Sequence, residues 1–263
     1  PLYCAAMYAA LRSGMHKEGL ELYMELCAKG IRKTNPIYVA AIKLYTRLGK
    51  WSEVDQLWAE ANGNTDLVGM TNRKILISAV IDAAASKGNV TEAALLLDVM
   101  RSSRVDPDIV AWCSALNACK NAVHSAGAIL LLKSMRRLSV LPNNIAYNTA
   151  MLAHRGASLE KVQQLVSDRS EDGIPPTPEW IEAHATTVLG IKYFDGDACA
   201  NDPTPELSQV AEPRLRLSSS IISASVADGV RLTRNSKALK AALSKLGYGA
   251  NEDWLETLKG TRT

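Results

Sequence analysis

One leucine returns along the chain as Leu22, Leu57, Leu96, Leu131 and Leu165, at steps of 35, 39, 35 and 34 residues. A recurrence at that interval belongs to tandem modules that bury their apolar faces against one another. Other columns keep the same register. Tyr3, Tyr38, Ile77, Trp112 and Tyr147 stand nineteen residues before the leucine, eighteen in the last unit, and Gly19, Val54, Ala93, Ala128 and Val162 stand three before it. Within a unit the apolar residues step by three and four, as in Leu95, Leu96, Val99 and Met100 or Ile129, Leu132 and Met135, so both halves read as amphipathic helices. Gly14, Gly49 and Gly88 mark the turn between the halves, each followed four residues on by Glu18, Glu53 or Glu92; the fourth and fifth units lose both marks. Units end at Lys33-Thr34, Pro107-Asp108, Pro142-Asn143 and Pro176-Thr177, where proline forbids continuing the second helix.

The units run approximately 1–34, 35–73, 74–108, 109–143 and 144–177, the long step being absorbed by the polar stretch Asn62 to Gly69. One hairpin cannot bury its stripe alone, so the columns are core, and the expected fold is all-α. It is a right-handed α-solenoid of about five tandem hairpins with a concave face. Pro178 to Leu189 reads as one more first helix or a capping helix, which extends the repeat region over 1–194. Residues 195–213 carry five carboxylates with Pro203, Pro205 and Pro213, the composition of an acidic linker. Residues 214–263 carry nine Lys or Arg against four acids, a small basic C-terminal extension of uncertain fold. There Asn235 or Ser236 is expected to cap a helix bearing Leu239, Leu243 and Leu246 that stops at Gly247, and Asn251 a shorter one with Trp254, Leu255 and Leu258. Leu215 to Val230 fits strand and helix equally.

Composition removes several classes. With 47% hydrophobic residues in 263 the chain has ample area to bury, which excludes wholesale disorder. It has no apolar run of the roughly 18 residues a membrane helix needs. A net charge of +3 permits a polyanionic partner without demanding one. Five cysteines without a C-x-x-C pair argue against a disulfide framework and a Cys-rich zinc site. The first residue, Pro1, already lies inside a helical pattern, so the natural amino terminus and any targeting peptide are expected to lie upstream. Motifs of catalysis are missing. His16-Lys17-Glu18 has the H-x-E spelling of a zinc deaminase but no C-x-x-C to complete the site, and Gly247-Tyr248-Gly249 lacks the third glycine of a dinucleotide loop. The expectation is a non-enzyme with no cofactor and no metal.

The 35-residue hairpin closing in Pro then Asp or Asn, with an aromatic near its start and a turn reading Ser86-Lys87-Gly88-Asn89-Val90-Thr91-Glu92-Ala93, resembles the pentatricopeptide repeat family. Residues 74–143 carry the likeness best, and Ile145-Ala146-Tyr147-Asn148-Thr149 is similar to the family's V-T-Y-N-T opening. The W-x-x-L-G-x-x-Y pattern of tetratricopeptide repeats is not present. The resemblance implies binding of single-stranded RNA, one base per repeat: the fifth and last residues of a unit meet the base edge, and the second packs on the base face. Carried over, the packing residues are Ile75, Val110 and Ile145, and the edge readers are Ser78 with Asp108, Cys113 with Asn143, and Asn148 with Thr177. A small first member leaves room for a purine. An Asp accepts from guanine N1–H and an Asn donates to adenine N1, which implies guanine, adenine and a pyrimidine in that order. The first two units depart from the pattern, with Pro1 and Pro36 at the packing position and Cys4/Thr34 and Val39/Arg73 as edge pairs. Arg12, Arg47, Lys87, Lys120 and Arg155, near the ends of the first helices, are the candidates for phosphate contacts.

The resemblance further implies occupancy rather than catalysis in RNA processing, stability or translation, in a mitochondrion or plastid. The partners are single-stranded RNA and other RNA-processing proteins, with no membrane. The alternative is a protein-binding α-solenoid scaffold within a ribonucleoprotein assembly. A third possibility is that the basic tail is a degenerate catalytic or nucleic-acid-binding module.

Overall fold

A hairpin needs a side chain to start its first helix and a left-handed residue to end each helix, and the chain supplies both periodically. The computed structural model of the protein describes residues 2–63, 70–191 and 207–248. Along them run α1 (Leu2–Ser13), α2 (His16–Ala28), α3 (Asn35–Arg47), α4 (Trp51–Gly63), α5 (Met70–Lys87), α6 (Val90–Ser102) and α7 (Ile109–Asn121). Then come α8 (Ser125–Arg137), α9 (Asn144–Ala153), α10 (Leu159–Glu171), α11 (Pro178–Leu189), α12 (Glu212–Ala227) and α13 (Arg234–Lys245). No strand occurs among the described residues, and the fold is an all-α solenoid of hairpins.

The turn after each first helix is built on one left-handed residue, Gly14, Gly49 and Gly88 at φ 76°, 67° and 72°. The backbone N–H that follows closes onto a carbonyl five residues back, as from Lys50 to Tyr45 at 3.0 Å and Asn89 to Ala84 at 2.9 Å. The fourth unit lacks the glycine yet keeps the conformation, forcing Val123 to φ 52°. The fifth unit does keep a left-handed glycine, Gly156 at φ 81°, displaced because α9 is only 10 residues long. In unit three the glutamate joins the helix cap that follows Gly88. Asn89 Oδ1 accepts from Glu92 N–H at 3.2 Å while Asn89 Nδ2 donates to Glu92 Oε2 at 2.7 Å.

The columns are core. Tyr38, Ile77, Trp112 and Tyr147 are buried, and so are Leu57, Leu96, Leu131 and Leu165; Tyr3 and Leu22, in the first unit, are half-buried. The tyrosine column also closes the hairpin, since its hydroxyl reaches the end of the second helix. Tyr3 donates to Glu25 at 2.9 Å, Tyr38 to Glu60 at 2.8 Å, and Tyr147 to the Asp168 carbonyl at 3.0 Å. The small column marks the closest approach of helices: a Cβ on Gly19 would stand 2.7 Å from Leu44 Cδ2 and 3.0 Å from Ala10 Cβ.

The hairpins gather into two compact units larger than the repeats, the first of residues 1–122 with 130–141 and the second of residues 123–129 with 142–263. In the first, α1, α3, α5 and α7 pack in that order, and each of α2, α4 and α6 lies against its own first helix and the next one. One boundary differs from the sequence reading. The third unit's first helix begins at Met70 rather than Lys74, because Arg73 stands at the cap position and a guanidinium has no acceptor to stop the helix there.

In the second unit α11 packs against both α9 and α12, and α13 against α11 and α12. The stretch Leu215 to Val230 is therefore helix through Ala227, with Leu215 and Ile222, two turns apart, buried on one face. Arg214 donates to the Val188 carbonyl at 2.7 Å. The cap of α13 is Thr233 rather than Asn235 or Ser236: Thr233 Oγ1 accepts from Ser236 N–H at 3.0 Å, and the Asn235 amide bonds Glu182 instead. The glycine stop at Gly247 holds, with φ 86°. Most of the acidic stretch, the Asn62 to Gly69 insertion beyond Gly63 and the expected helix after Asn251 lie outside the described residues.

Candidate nucleic-acid interface

The side chains that would read bases stand at the starts of first helices, where capping chemistry dictates their posture. Asp108, Asn143 and Thr177 are the N-caps of α7, α9 and α11. Asp108 Oδ1 accepts from Ala111 N–H at 3.0 Å, Asn143 Oδ1 from Ala146 N–H at 2.9 Å, and Thr177 Oγ1 from Trp180 N–H at 3.3 Å. Capping thus engages one oxygen and orients the rest of the group. For Asn143, which is exposed, what remains is the NH₂, a donor.

In the first unit, Ile75, Ser78, Asp108, Val110 and Cys113 are held on α5 and α7. Ile75 is 48% exposed and Val110 64%, although their neighbours Leu76, Ile77, Ala111 and Trp112 are buried. Ser78, half-buried, donates its hydroxyl to the Lys74 carbonyl at 2.8 Å. Asp108 Oδ2 forms an ion pair with Lys74 Nζ at 2.6 Å. Partial burial pushes the Asp108 carboxyl upward, but the bonds from Lys74 and from the Ala111 and Val110 amides outweigh it, and the group sits below its ordinary range. Burial, and then the charge of Asp108, push the Cys113 thiol up to about 11, so it is a neutral, weakly polar member of its pair. Lys74 escaped the sequence reading. Its signal was there, since it lies one helical turn before Ser78.

In the second unit, Ile145 is 63% exposed between Asn144 and the buried Ala146. Asn148 is half-buried, and its Oδ1 lacks a hydrogen-bond partner in the fold. Cys113 belongs to the first unit and Asn143 to the second. Of the second hairpin's pair, Val39 is buried and Arg73 donates to Asn62 Oδ1 at 3.1 Å; of the first, Cys4 is half-buried and Thr34 exposed.

One face of the first helices in the first unit lines a groove of about 520 Å³. Its wall is built from strict register columns, among them Lys43, Asp82 and Asn117, and Arg12, Arg47, Ser86 and Asn121. Arg12, Arg47 and Lys120 are therefore brought together, joined by Lys43, which lies one turn before Arg47 and was not among the expected cations. Lys87 is exposed at the end of α5 outside this lining, because it stands one residue, about 100° of helix, past the column. Arg155 lies in the second unit, half-buried. Among the described residues no group of three His, Cys, Asp or Glu could hold a metal, and no helix is long and apolar enough to cross a membrane.

Residues 77–105 match the family model described as PPR repeat. A mitochondrial pentatricopeptide repeat-containing protein of Arabidopsis thaliana is 29% identical over 109 residues, which cover 41% of this chain and 13% of that protein. The chain is similar to pentatricopeptide repeat (PPR) proteins. Among solved PPR structures, that of maize PPR10 overlays 99% of this chain and 38% of its own length at TM-score 0.49 and 14% identity. PPR10 in complex with an 18-nt psaJ RNA element overlays 93% of this chain and 37% of its own at TM-score 0.47 and 14% identity. The chain spans well under half the length of these relatives.

Proposed function

We propose that this chain binds single-stranded RNA, one base per hairpin, and acts by occupancy in the processing, stability or translation of an organellar transcript. One observation carries the reading. Ile75, Val110 and Ile145 stay exposed at the same register of three successive first helices, each followed directly by a buried residue. Branched apolar side chains repeated in the open beside polar pairs suit the faces and edges of unstacked bases. The groove cations Arg12, Lys43, Arg47 and Lys120 offer phosphate contacts to the same ligand. The mitochondrial setting of the Arabidopsis relative supports an organellar role.

The test is binding of the chain to a panel of labelled single-stranded RNAs over a range of salt. Base preference at consecutive positions, with affinity falling steeply as salt rises, is the expected result. Binding without base preference, or none, would leave the protein-binding scaffold as the better description.

A further inference from the structure

On the RNA-binding reading above, the first base reader has a third side chain beside its pair. Lys74 touches both members of the pair: its carbonyl accepts the Ser78 hydroxyl at 2.8 Å, and its ammonium holds Asp108 Oδ2 at 2.6 Å. With its proton turned to that carbonyl, Ser78 Oγ has only lone pairs to offer a ligand. Asp108, fixed at Oδ1 by the Ala111 amide, is likewise an acceptor. The Lys74 side chain remains 38% exposed, and an ammonium has three N–H groups, of which Asp108 takes one.

We propose that Lys74 is a specificity-determining residue for guanine at this hairpin. Its ammonium donates to guanine O6, Asp108 accepts from N1–H, and Ser78 accepts from the 2-amino group. Acceptor, acceptor and donor complement guanine and no other base. Adenine sets an amino group against the ammonium and an unprotonated N1 against the carboxylate. Cytosine repeats both faults, and uracil brings a carbonyl to the lone pairs of Ser78. The same ammonium offsets the charge that Asp108 would otherwise present to RNA phosphates.

The experiment selects from a randomised single-stranded RNA library with the full chain and locates the position whose preference changes in Ser78→Asn. Guanosine there is then replaced by adenosine and by 2-aminopurine, which keeps the 2-amino group but lacks both O6 and the N1 proton. Wild type, Lys74→Met and Lys74→Arg are compared, with helicity by circular dichroism as the control for folding. The expected result is that Lys74→Met narrows the guanosine-over-adenosine preference at that position by about tenfold and leaves other positions unchanged. Lys74→Arg, still a donor, keeps most of it, and RNA carrying 2-aminopurine no longer distinguishes wild type from Lys74→Met. Equal loss of affinity for guanosine and adenosine in Lys74→Met would make Lys74 a phosphate cation and overturn the proposal, as would no change. A wild-type chain without preference at any position would overturn the RNA reading itself, and the inference with it.

Discussion

The Thr233 hydroxyl donates to Glu182 Oε2 at 2.6 Å, joining residues 51 apart in sequence, while the Asn235 amide donates to Oε1 of the same carboxylate at 2.8 Å. Glu182 is 2% exposed, so its charge is tolerated on α11 because the start of α13 satisfies it. Thr233→Ala removes this bond and the α13 cap together. It should lower stability by about 1–3 kcal/mol in a denaturant titration. Thr233→Ser restores both groups and should recover most of that loss.

Val123 is a β-branched residue in the left-handed region, φ 52°, at the place where three other hairpins carry glycine. Val123→Gly removes steric strain from a partly exposed position and should stabilise the chain by about 1 kcal/mol. Gly88→Val, the reverse change at φ 72°, should destabilise it by at least as much. Paired thermal melts would settle the sign, and an unchanged or lower Tm for Val123→Gly would contradict the account.

Gly19 faces Leu44 Cδ2 at 2.7 Å and Ala10 Cβ at 3.0 Å from an added Cβ, and Leu44 is fully buried with no room to retreat. Gly19→Val should therefore force α2 away from α1 and α3, at a cost of about 1–3 kcal/mol. Gly19→Ala should fall between it and wild type in urea unfolding.

His184 is held at a pKa of about 4, first by burial beside Trp180 and then by the nearby Arg169 charge. Burial also lowers His154, which lies wholly inside the fold with Nδ1 at 2.7 Å from the Ala150 carbonyl. Both values are depressed relative to an unfolded histidine near 6.5, so between about pH 4 and 6.5 the unfolded chain binds more protons. Stability is thus present above pH 6.5 and drains away as pH falls toward 4. Melts across that range should show the slope, and His184→Gln should flatten it; an equal slope in the variant would assign the effect elsewhere.

Arg47→Gln in the groove and Ser78→Asn at the reader should fail differently in RNA binding. The first should weaken all sequences alike and reduce the salt slope by about one. The second, which exchanges an acceptor for a bulkier amide, should move base preference at one position only. Identical behaviour of the two variants would mean that Ser78 contacts no base edge.

Much of the architecture was legible beforehand because its determinants are local and repeat. Proline at the unit ends, glycine in the turns and apolar steps of three and four act within a few residues, and five copies of one pattern make the register plain. The exposed trio Ile75, Val110 and Ile145 was legible for the same reason, as a column offset from the buried one.

The tertiary structure alone decided what depends on partners a hairpin or more away. Leu215 to Val230 is compatible in itself with either secondary structure, and becomes helix because Leu215 and Ile222 are buried within its packed unit. Lys74 meets Asp108 across 34 residues, and Lys43 rather than Lys87 joins the groove. Each residue along a helix turns the side chain by about 100°, so a charge one place off its column leaves the face entirely. A sequence tallies its cations; only packed helices decide which of them share a wall.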